Sequence, residues 1–456
     1  MEMRKGDILT ISIDALDHEG RGVGSQGNKE IHVPLALPGE QVRVRIEHVS
    51  PHGPRAWASL VRLEGSPSPA RVPSCCPALG ECGGCMLSHV RYADQLAWKR
   101  RRVERAFSRH PELASAQVDK AIASPLEVQY RNKAKYVLAS GNDGRLVYGS
   151  YAPLSHRVVD MAGCQVPEVP IDAVAKTVMN LLESERIPPH DERTRSGELR
   201  YLVIRRSSEG GILVVIACAS EAPRPALARL AQLLCREHPE VTSVVLNVNP
   251  KTSGALFGDV DINLLGTGML SDRIGDVSLV VSARAFLQVN RLQAGRLYAE
   301  VVRLVGEAKG LRVLDLYTGV GGIALTLARL GARVVGVESH AGAVEDARRS
   351  AQGMGLAETA TFVAADAASG LQIAARVLGN IDLLVVNPPR KGLSDARVPI
   401  TQASVPHLVY VSCGPESLAA DLAELVRAGY RVESVQPIDL MPGTPHVETV
   451  VSLSRG

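Results

Sequence analysis

The chain has 456 residues, of which 51 are Lys or Arg and 48 are Asp or Glu, so its formal net charge is only +3. Hydrophobic residues make up 45% and charged residues 22%, a composition that excludes disordered and collagen-like chains. No apolar run reaches the ~18 residues of a membrane helix, and the start MEMRKGDILT is too polar for a signal peptide. We therefore expect a cytoplasmic protein without membrane contact, built from about two to four domains.

The first sixty or so residues have the pattern of short β-strands. In QVRVRI, Val42, Val44 and Ile46 alternate with charged or polar residues, and several glycines and prolines separate such runs. A period of two with frequent turn residues predicts strands rather than helices. We predict a small OB-like β-barrel over residues 1–65, a fold that often binds single-stranded nucleic acid.

Five of the eight cysteines lie within one ninety-residue stretch: Cys75, Cys76, Cys82, Cys85 and Cys164. In a reducing compartment this clustering indicates metal before disulfides. Four such thiols suffice for zinc or for an iron–sulfur cluster. Zinc sites usually pair closely spaced ligands, and the separation of Cys76 and Cys82 is too wide for that, so an iron–sulfur cluster is favoured. The C-x3-C-x2-C spacing of radical enzymes is missing, which predicts a structural cluster, with Cys75 as a bystander.

Positive charge is concentrated around these cysteines. Residues 71–160 hold 14 Lys and Arg against 8 Asp and Glu, and they include the helix-like run WKRRRVERAFSRH. Such a run is either a solvated helix face or a phosphate-binding surface. The candidates for phosphate contact are Lys99, Arg100, Arg101, Arg102, Arg131, Lys133 and Lys135. Further on, two apolar strands, a helix and a third strand predict an α+β middle domain over residues 66–290.

From about Leu311 the pattern changes to short apolar strands that alternate with helices. This alternation predicts a parallel sheet covered on both faces, a Rossmann-like α/β domain over residues 291–456. Ligands of such sheets bind at the carboxyl ends of the strands.

Acidic residues end three successive predicted strands. Asp315 precedes the turn of Gly319 and Gly321, Glu338 ends the next strand and Asp366 the third. The glycines also fit a dinucleotide-binding pattern, which is weak alone. However, a carboxylate before the glycines repels pyrophosphate and suits the ammonium group of S-adenosylmethionine. We therefore predict an S-adenosylmethionine site, with Glu338 on the ribose and Asp366 on the adenine amino group.

The next strand ends in Asn387-Pro388-Pro389-Arg390. An Asn-Pro-Pro-aromatic turn is typical of enzymes that methylate exocyclic amines, with the aromatic ring stacked on the target base. Arg390 occupies the aromatic position here, so amine methylation becomes the alternative function. We place Asn387 beside the donor site, where its amide can hydrogen-bond but cannot accept a proton.

Cys413 ends the following strand in VYVSCGP, at the same predicted sheet edge. Uracil C5 is not nucleophilic until a nucleophile adds to C6, and a thiolate is suited to that addition. The C5 proton must then be removed, for which PHVETV supplies Glu448, with His446 as the second candidate.

Together these residues resemble the RNA uracil-5-methyltransferase family, and the match covers nearly the whole chain. DLYTGVGG, the Pro-Pro-Arg turn, SCGP and HVETV follow in the family's order, and FLQVN is similar to a segment bounding its donor pocket. The resemblance implies a TRAM domain at the amino terminus, a 4Fe-4S cluster on Cys76, Cys82, Cys85 and Cys164, and a class I methyltransferase domain. It also implies Cys413 as nucleophile, Glu448 as base, and donor contacts from Gln288, Tyr317, Glu338 and Asp366.

The expected function is therefore S-adenosylmethionine-dependent methylation of uridine C5 in structured RNA, by a monomer that forms a covalent cysteine–C6 adduct. The alternatives are an amine-directed RNA methyltransferase and an RNA-binding protein without catalysis. The sequence does not distinguish transfer RNA from ribosomal RNA, because that choice depends on RNA shape.

Overall fold

The computed structural model describes residues 3–141, 143–153, 155–251, 254–403 and 405–456. These residues form three large sheets and a separate two-stranded hairpin. In this part of the chain, no helix is long and apolar enough to cross a membrane.

The amino-terminal sheet has six strands in the order β1-β5-β6-β4-β3-β2. Their bounds are β1 Ile8–Ser12, β2 Ala15–Leu16, β3 Gly22–Gln26, β4 Lys29–Val33, β5 Gln41–Val49 and β6 Arg55–Glu64. Val42, Val44 and Ile46 are fully buried, whereas Gln41 and Arg45, at alternate positions of the same strand, are exposed. The strands predicted from the period-two pattern are confirmed.

The basic run forms helix α1, Tyr92–Phe107. Its apolar residues Val103, Ala106 and Phe107 join the hydrophobic core under the carboxy-terminal sheet. Helix α1 therefore packs against the last part of the chain, and residue Lys99 on it is completely buried.

The middle sheet has seven strands in the order β13-β12-β11-β10-β7-β8-β9. The elements are β7 Lys133–Ser140, β8 Leu146–Tyr151, β9 Val158–Asp160, α2 Val169–Ser184, β10 Leu199–Arg206, β11 Ile212–Cys218, α3 Arg224–Glu237, β12 Val241–Val248 and β13 Val260–Leu265. The predicted strand pair is the buried hairpin of β10 and β11, and α2 and α3 cover one face of the sheet. A second hairpin, β14 Met269–Ile274 with β15 Val277–Ser282, and helix α4, Arg291–Val305, lead into the last sheet.

The carboxy-terminal sheet has seven strands in the order β18-β17-β16-β19-β20-β22-β21. Its elements are β16 Arg312–Leu316, α5 Gly322–Arg329, β17 Arg333–Glu338, α6 Ala341–Gly353, β18 Ala360–Ala364, α7 Ala367–Leu378, β19 Leu383–Val386, α8 Arg397–Gln402, β20 His407–Ser412, α9 Pro415–Arg427, β21 Tyr430–Ile438 and β22 Glu448–Arg455. Strands β16 to β20 are parallel, and β22 is antiparallel to both of its neighbours.

Helices cover both faces of this sheet. Residues of α4, α5 and α6 form the core on one face, and residues of α1, α7 and α9 form the core on the other. The Rossmann-like fold class is confirmed. Because β22 runs against β20, its first residue lies at the edge where β16 to β20 end, and all the predicted catalytic and donor residues at strand ends share that edge.

Candidate active site

The turn after β16 requires its glycines. Gly319 and Gly321 have φ angles of +56° and +86°, in the region that favours glycine. A Cβ atom on Gly321 would also lie 2.9 Å from the ring of Phe362. Helix α5 begins directly after Gly321, so its unpaired amide groups lie beside the turn. The turn is thus a close-approach site for a ligand with polar or anionic groups.

Asp315 lies beneath this turn and is 1% exposed. Its Oδ2 atom accepts a 2.6 Å hydrogen bond from Thr318 Oγ1, while its Oδ1 atom has no partner among the described residues. Burial raises the pKa of Asp315 to about 7, and nearby Glu338 adds to this increase. The carboxyl group therefore orders the turn from below.

Glu338 and Asp366 follow the next two strands. Glu338 Oε2 accepts from the Gly319 amide at 3.1 Å, and its Oε1 accepts from the His340 amide at 2.9 Å. Asp366 is exposed and caps helix α7, accepting from the Ser369 amide at 2.9 Å, and these bonds lower its pKa. Glu338 is therefore tied to the glycine turn, whereas Asp366 is engaged as a helix cap.

Two of the other predicted donor contacts, Tyr317 and Asn387, lie at the same edge. Tyr317 has a left-handed φ of +61°, and its hydroxyl donates to the Leu393 carbonyl at 3.0 Å. Asn387 follows β19, and its backbone amide donates to the Leu316 carbonyl at 3.3 Å. Gln288 is half-buried ahead of α4, and its backbone carbonyl accepts from Asn132 Nδ2 at 3.4 Å. Tyr317 thus connects the glycine turn to the loop after Pro-Pro-Arg.

Strand register explains how Cys413 meets Glu448, thirty-five positions later. The antiparallel pairing of β20 with β22 places Ser412 opposite Thr449. One further step along this register places Cys413 across from Glu448, and α9 starts just after Cys413 at Pro415. The predicted nucleophile and base are therefore neighbours at the end of the sheet.

Burial and neighbouring charges shift the pKa values of both Cys413 and Glu448. Burial raises the pKa of the Cys413 thiol, the Glu448 carboxylate raises it further, and the Arg390 guanidinium, within hydrogen-bonding reach, lowers it. Glu448 is 8% exposed, and burial raises its pKa to about 7 against the lowering effect of Arg390. Arg390 Nη2 lies 3.4 Å from His446 Nε2, and burial with neighbouring cations lowers the pKa of His446 to about 4. His446 is therefore neutral at pH 7.

Arg390 was not predicted to act on the catalytic groups, yet its guanidinium lowers the pKa of both Cys413 and Glu448. The signal that was available is its place in the Pro-Pro-Arg turn, four positions after β19 ends at Val386. The residues that hold the loop before Glu448 were also missed, because they lie far away in the sequence.

The four predicted metal ligands line one cavity of ≈ 130 Å³, to which Cys75 also contributes. The cations Arg131, Lys133 and Lys135 line the same cavity. Within the described ranges, however, no group of three or more His, Cys, Asp or Glu side chains is arranged to hold a metal ion. The structure thus brings the predicted ligands together without ordering them around a metal.

The predicted phosphate-contacting residues divide into two groups. The prediction that Lys99 contacts phosphate is wrong, because its side chain is wholly buried and paired with Asp439 at 2.5 Å. Arg101 is exposed and lines a groove of ≈ 780 Å³ between the amino-terminal sheet and α1. Other residues that line this groove are Arg21, His32, Arg55, Trp57, Trp98, Arg102, Arg105, Arg109 and Glu416.

Comparison with known proteins identifies the family. The sequence profile of the family described as tRNA (Uracil-5-)-methyltransferase matches residues 276–456. An uncharacterized RNA methyltransferase of Geobacter sulfurreducens is 38% identical over 99% of this chain and 91% of its own length, and one of Halalkalibacterium halodurans is 34% identical over 99% and 98%.

Among solved structures, the tRNA (uracil-54, C5)-methyltransferase of Pyrococcus abyssi in complex with S-adenosyl-L-homocysteine is similar at a TM-score of 0.77. It is 27% identical, and the match covers 98% of this chain and 100% of that one. Both relatives match over 99% of this chain, and the residues that the family profile matches include Cys413 and Glu448. The chain therefore belongs to the tRNA (uracil-5-)-methyltransferase family and is an RNA methyltransferase.

Proposed function

We propose that this enzyme transfers a methyl group from S-adenosylmethionine to C5 of a uridine in structured RNA, through a covalent bond between Cys413 and uracil C6. The observation that carries the proposal is the grouping of Cys413, Arg390 and Glu448 at one sheet edge, next to the glycine turn. This set supplies a nucleophile, a cation for it and a base, which C5 methylation requires and amine methylation does not.

The donor lies along the ends of β16 and β17 in this proposal. The amides of the glycine turn and of α5 surround its polar groups, and the Glu338 carboxylate accepts hydrogen bonds from the ribose hydroxyls. Asp315 holds the turn through Thr318 and supplies negative charge near the donor's ammonium group. Gln288, Tyr317 and Asn387 border the same pocket, with Asp366 at its outer rim.

In this proposal each chemical step is carried out by a named residue of the site. The Cys413 thiolate adds to C6, and the resulting enolate carbon C5 attacks the methyl group, releasing S-adenosylhomocysteine. Glu448 takes the proton from C5, and the electron pair of that bond expels the Cys413 sulfur from C6. The products are 5-methyluridine, free Cys413 thiolate and protonated Glu448, which returns its proton to water.

Arg390 adjusts the thiol for the first step. Burial and the Glu448 charge both disfavour the Cys413 thiolate, and the Arg390 guanidinium favours it. Because Glu448 is close to half-protonated at neutral pH, its repulsion of the thiolate is reduced before the uridine arrives. His446 is neutral and hydrogen-bonds with Arg390, so we assign it to orienting that guanidinium.

We also propose a 4Fe-4S cluster on Cys76, Cys82, Cys85 and Cys164. The donor set fits, since four thiols share one cavity, and a thiolate-ligated cluster carries negative charge that the surrounding cations compensate. Such a cluster would tie the loop of residues 76–85 to Cys164 and has no step in the methyl transfer.

The RNA contact is proposed in the groove between the amino-terminal sheet and α1. Arginines of α1 on one side and Trp57 of β6 on the other supply phosphate contacts and a stacking surface. The Arg102 and Glu416 end of this groove adjoins the catalytic edge, since Glu416 lies in the first turn of α9. The target base must leave its stack to reach Cys413, at a cost of about a few kcal/mol that these contacts offset.

The test is incubation of the purified enzyme with methyl-labelled S-adenosylmethionine and total RNA, followed by nucleoside analysis. We expect label in 5-methyluridine, with separate transfer and ribosomal RNA fractions showing which is the substrate. Label in a methylated adenosine, guanosine or cytidine amine instead would support the amine-directed alternative, and no label in any nucleoside would support an RNA-binding protein.

A further inference from the structure

The loop between β21 and β22, residues 439–446, carries His446 and ends two positions before Glu448. We call it the base loop. Its sequence MPGTPH contains two prolines and one glycine, and it lies between two strands that pair with each other. Its conformation decides where the first residue of β22 and its neighbour His446 are placed.

A buried ion pair holds the start of the base loop. Lys99 Nζ of α1 lies 2.5 Å from Asp439 Oδ1, and both side chains are 0% exposed. The same ammonium group donates to the Met441 carbonyl at 3.0 Å, and the Tyr92 hydroxyl donates to Asp439 Oδ2 at 3.0 Å. Helix α1 therefore fixes both a side chain and a carbonyl of the loop.

The same face of α1 holds the rest of the base loop. The Gly443 amide donates to Gln95 Oε1 at 2.9 Å, and Arg102 Nη1 donates to the Pro445 carbonyl at 2.5 Å, next to His446. Gln95, Lys99 and Arg102 follow each other at four and three positions, so they share one helix face. Three successive turns of α1 thus contact the loop from its beginning to its end.

Other distant segments satisfy the carbonyl groups that α1 does not reach. Their donors are the Leu87 amide to Gly443, the Tyr130 hydroxyl to Pro442, Asn290 Nδ2 to Leu440 and Gln293 Nε2 to the Asp439 carbonyl, at 2.7 to 3.1 Å. Nearly the whole loop backbone is therefore held by residues from outside the carboxy-terminal sheet.

Stability alone is a weak explanation for this arrangement. A buried ion pair usually contributes no more than well-packed apolar residues would, because removing both charges from water is costly. What such a pair does impose is one geometry, since each partner must meet the other. The base loop leads into Glu448, the first residue of β22, so this geometry also affects where its buried carboxyl group lies.

We infer that the α1 face of Gln95, Lys99 and Arg102 positions Glu448 for removal of the C5 proton, acting through the base loop. These are positioning residues, and the inference rests on the proposed function of Glu448. Formation of the Cys413 adduct depends mainly on β20 and α9, and this face reaches it through the contact of His446 with Arg390, at 3.4 Å. Loosening the loop should therefore slow resolution of the methylated adduct, the step in which the C5 proton is removed and Cys413 leaves C6, more than formation of the adduct.

The test compares Gln95→Leu, which changes no charge, with the double variant Lys99→Met/Asp439→Leu, which replaces the ion pair by apolar side chains and guards against misfolding of either single change. Single-turnover reactions are quenched in denaturant, and the RNA-linked protein and its methyl label are followed over time. We expect resolution to slow by about 10- to 100-fold, as for a misplaced catalytic group, with adduct formation changed less than about threefold.

Glu104→Gln, on the outer face of α1, is the matched control and should behave as wild type. Resolution after adduct formation does not depend on RNA affinity, so weaker binding cannot imitate the effect. If formation and resolution slow equally in folded variants, or resolution is unchanged, the inference is wrong. If Glu448→Gln itself traps no methylated adduct, the proposed function of Glu448 fails instead.

Discussion

The two halves of the catalytic sheet edge are held in different ways. The donor half, at the ends of β16 to β18, is organised by contacts within one continuous stretch, such as Gly319 to Glu338. The acceptor half, with Cys413 and Glu448, depends on the base loop, whose anchors such as Lys99 lie over 300 residues away in sequence. The donor half can therefore form from local sequence, whereas the acceptor half needs the amino-terminal part of the chain in place.

At the glycine turn, Tyr317 connects the two halves directly. Its backbone adopts a left-handed conformation in the donor half, and its hydroxyl reaches the Leu393 carbonyl in the loop that follows Arg390. A left-handed conformation is costly for a tyrosine, so this position is held by its surroundings. Changes in the two halves should nevertheless be separable, because the Tyr317 hydroxyl reaches the acceptor half through one hydrogen bond.

The largest expected effect comes from Cys413→Ala in the acceptor half. Without the thiolate, C5 is never activated, so methyl transfer should fall by about 10³-fold or more and no covalent RNA complex should form. Binding of S-adenosylmethionine, measured by calorimetry, should stay within about twofold of wild type. Cys235→Ala on α3 is the control. Methylation near the wild-type rate in Cys413→Ala would remove the cysteine from the mechanism.

A smaller effect is expected from Glu338→Gln in the donor half. Loss of the charged acceptor should weaken S-adenosylmethionine binding by about 10- to 100-fold, since hydrogen bonds to charged groups are worth about 1.5–3 kcal/mol. RNA affinity, measured by filter binding, should not change. Glu345→Gln, exposed on α6, serves as the control. An unchanged donor dissociation constant would show that Glu338 only braces the glycine turn.

The pH dependence of adduct resolution distinguishes the halves without a mutation. Glu448 accepts a proton only when ionised, and its pKa is raised to about 7. Resolution should therefore slow about tenfold for each pH unit below 7 and level off above it, and methylated adduct should accumulate at pH 6. The measurement is the decay of preformed adduct after a pH jump. A flat profile between pH 6 and 8 would exclude Glu448 as the base.

The smallest effect is expected in the groove, outside both halves. Arg101→Glu should weaken RNA binding about three- to tenfold and lower the salt slope of the binding constant by about one, while donor binding is unchanged. Binding is measured by titration at several salt concentrations. Arg224→Glu, similarly exposed on α3, is the control. Equal behaviour of the two variants would place the RNA elsewhere.

The predictability of the site from sequence follows the same division. Glu338, Asp366 and Cys413 were predicted because each ends or follows an apolar strand, and strand ends meet at one edge in a parallel sheet. Their roles stay predictions. The burial of Lys99 could not be foreseen, since its partner Asp439 is 340 residues away and the local pattern is that of a solvated basic helix. The role of Arg390 depends on strand register between β20 and β22, which the sequence does not specify.

The cysteines show an intermediate case. Their spacing predicted a common site, and the structure does gather Cys76, Cys82, Cys85 and Cys164 on one cavity. Spacing alone cannot say how thiols are oriented, because loop conformations without regular hydrogen bonding leave no periodic pattern. The 4Fe-4S cluster stays a prediction, which iron analysis of anaerobically purified protein will test.

The pairing of Lys99 with Asp439 also has a consequence for how the protein is made. Ribosomes synthesise α1 hundreds of residues before Asp439, the partner of Lys99, so we expect this lysine to stay solvated until Asp439 has emerged. We expect β21 and β22 to complete the acceptor half only after both have left the ribosome. A fragment limited to the methyltransferase fold would then bind its donor and still lack an organised base.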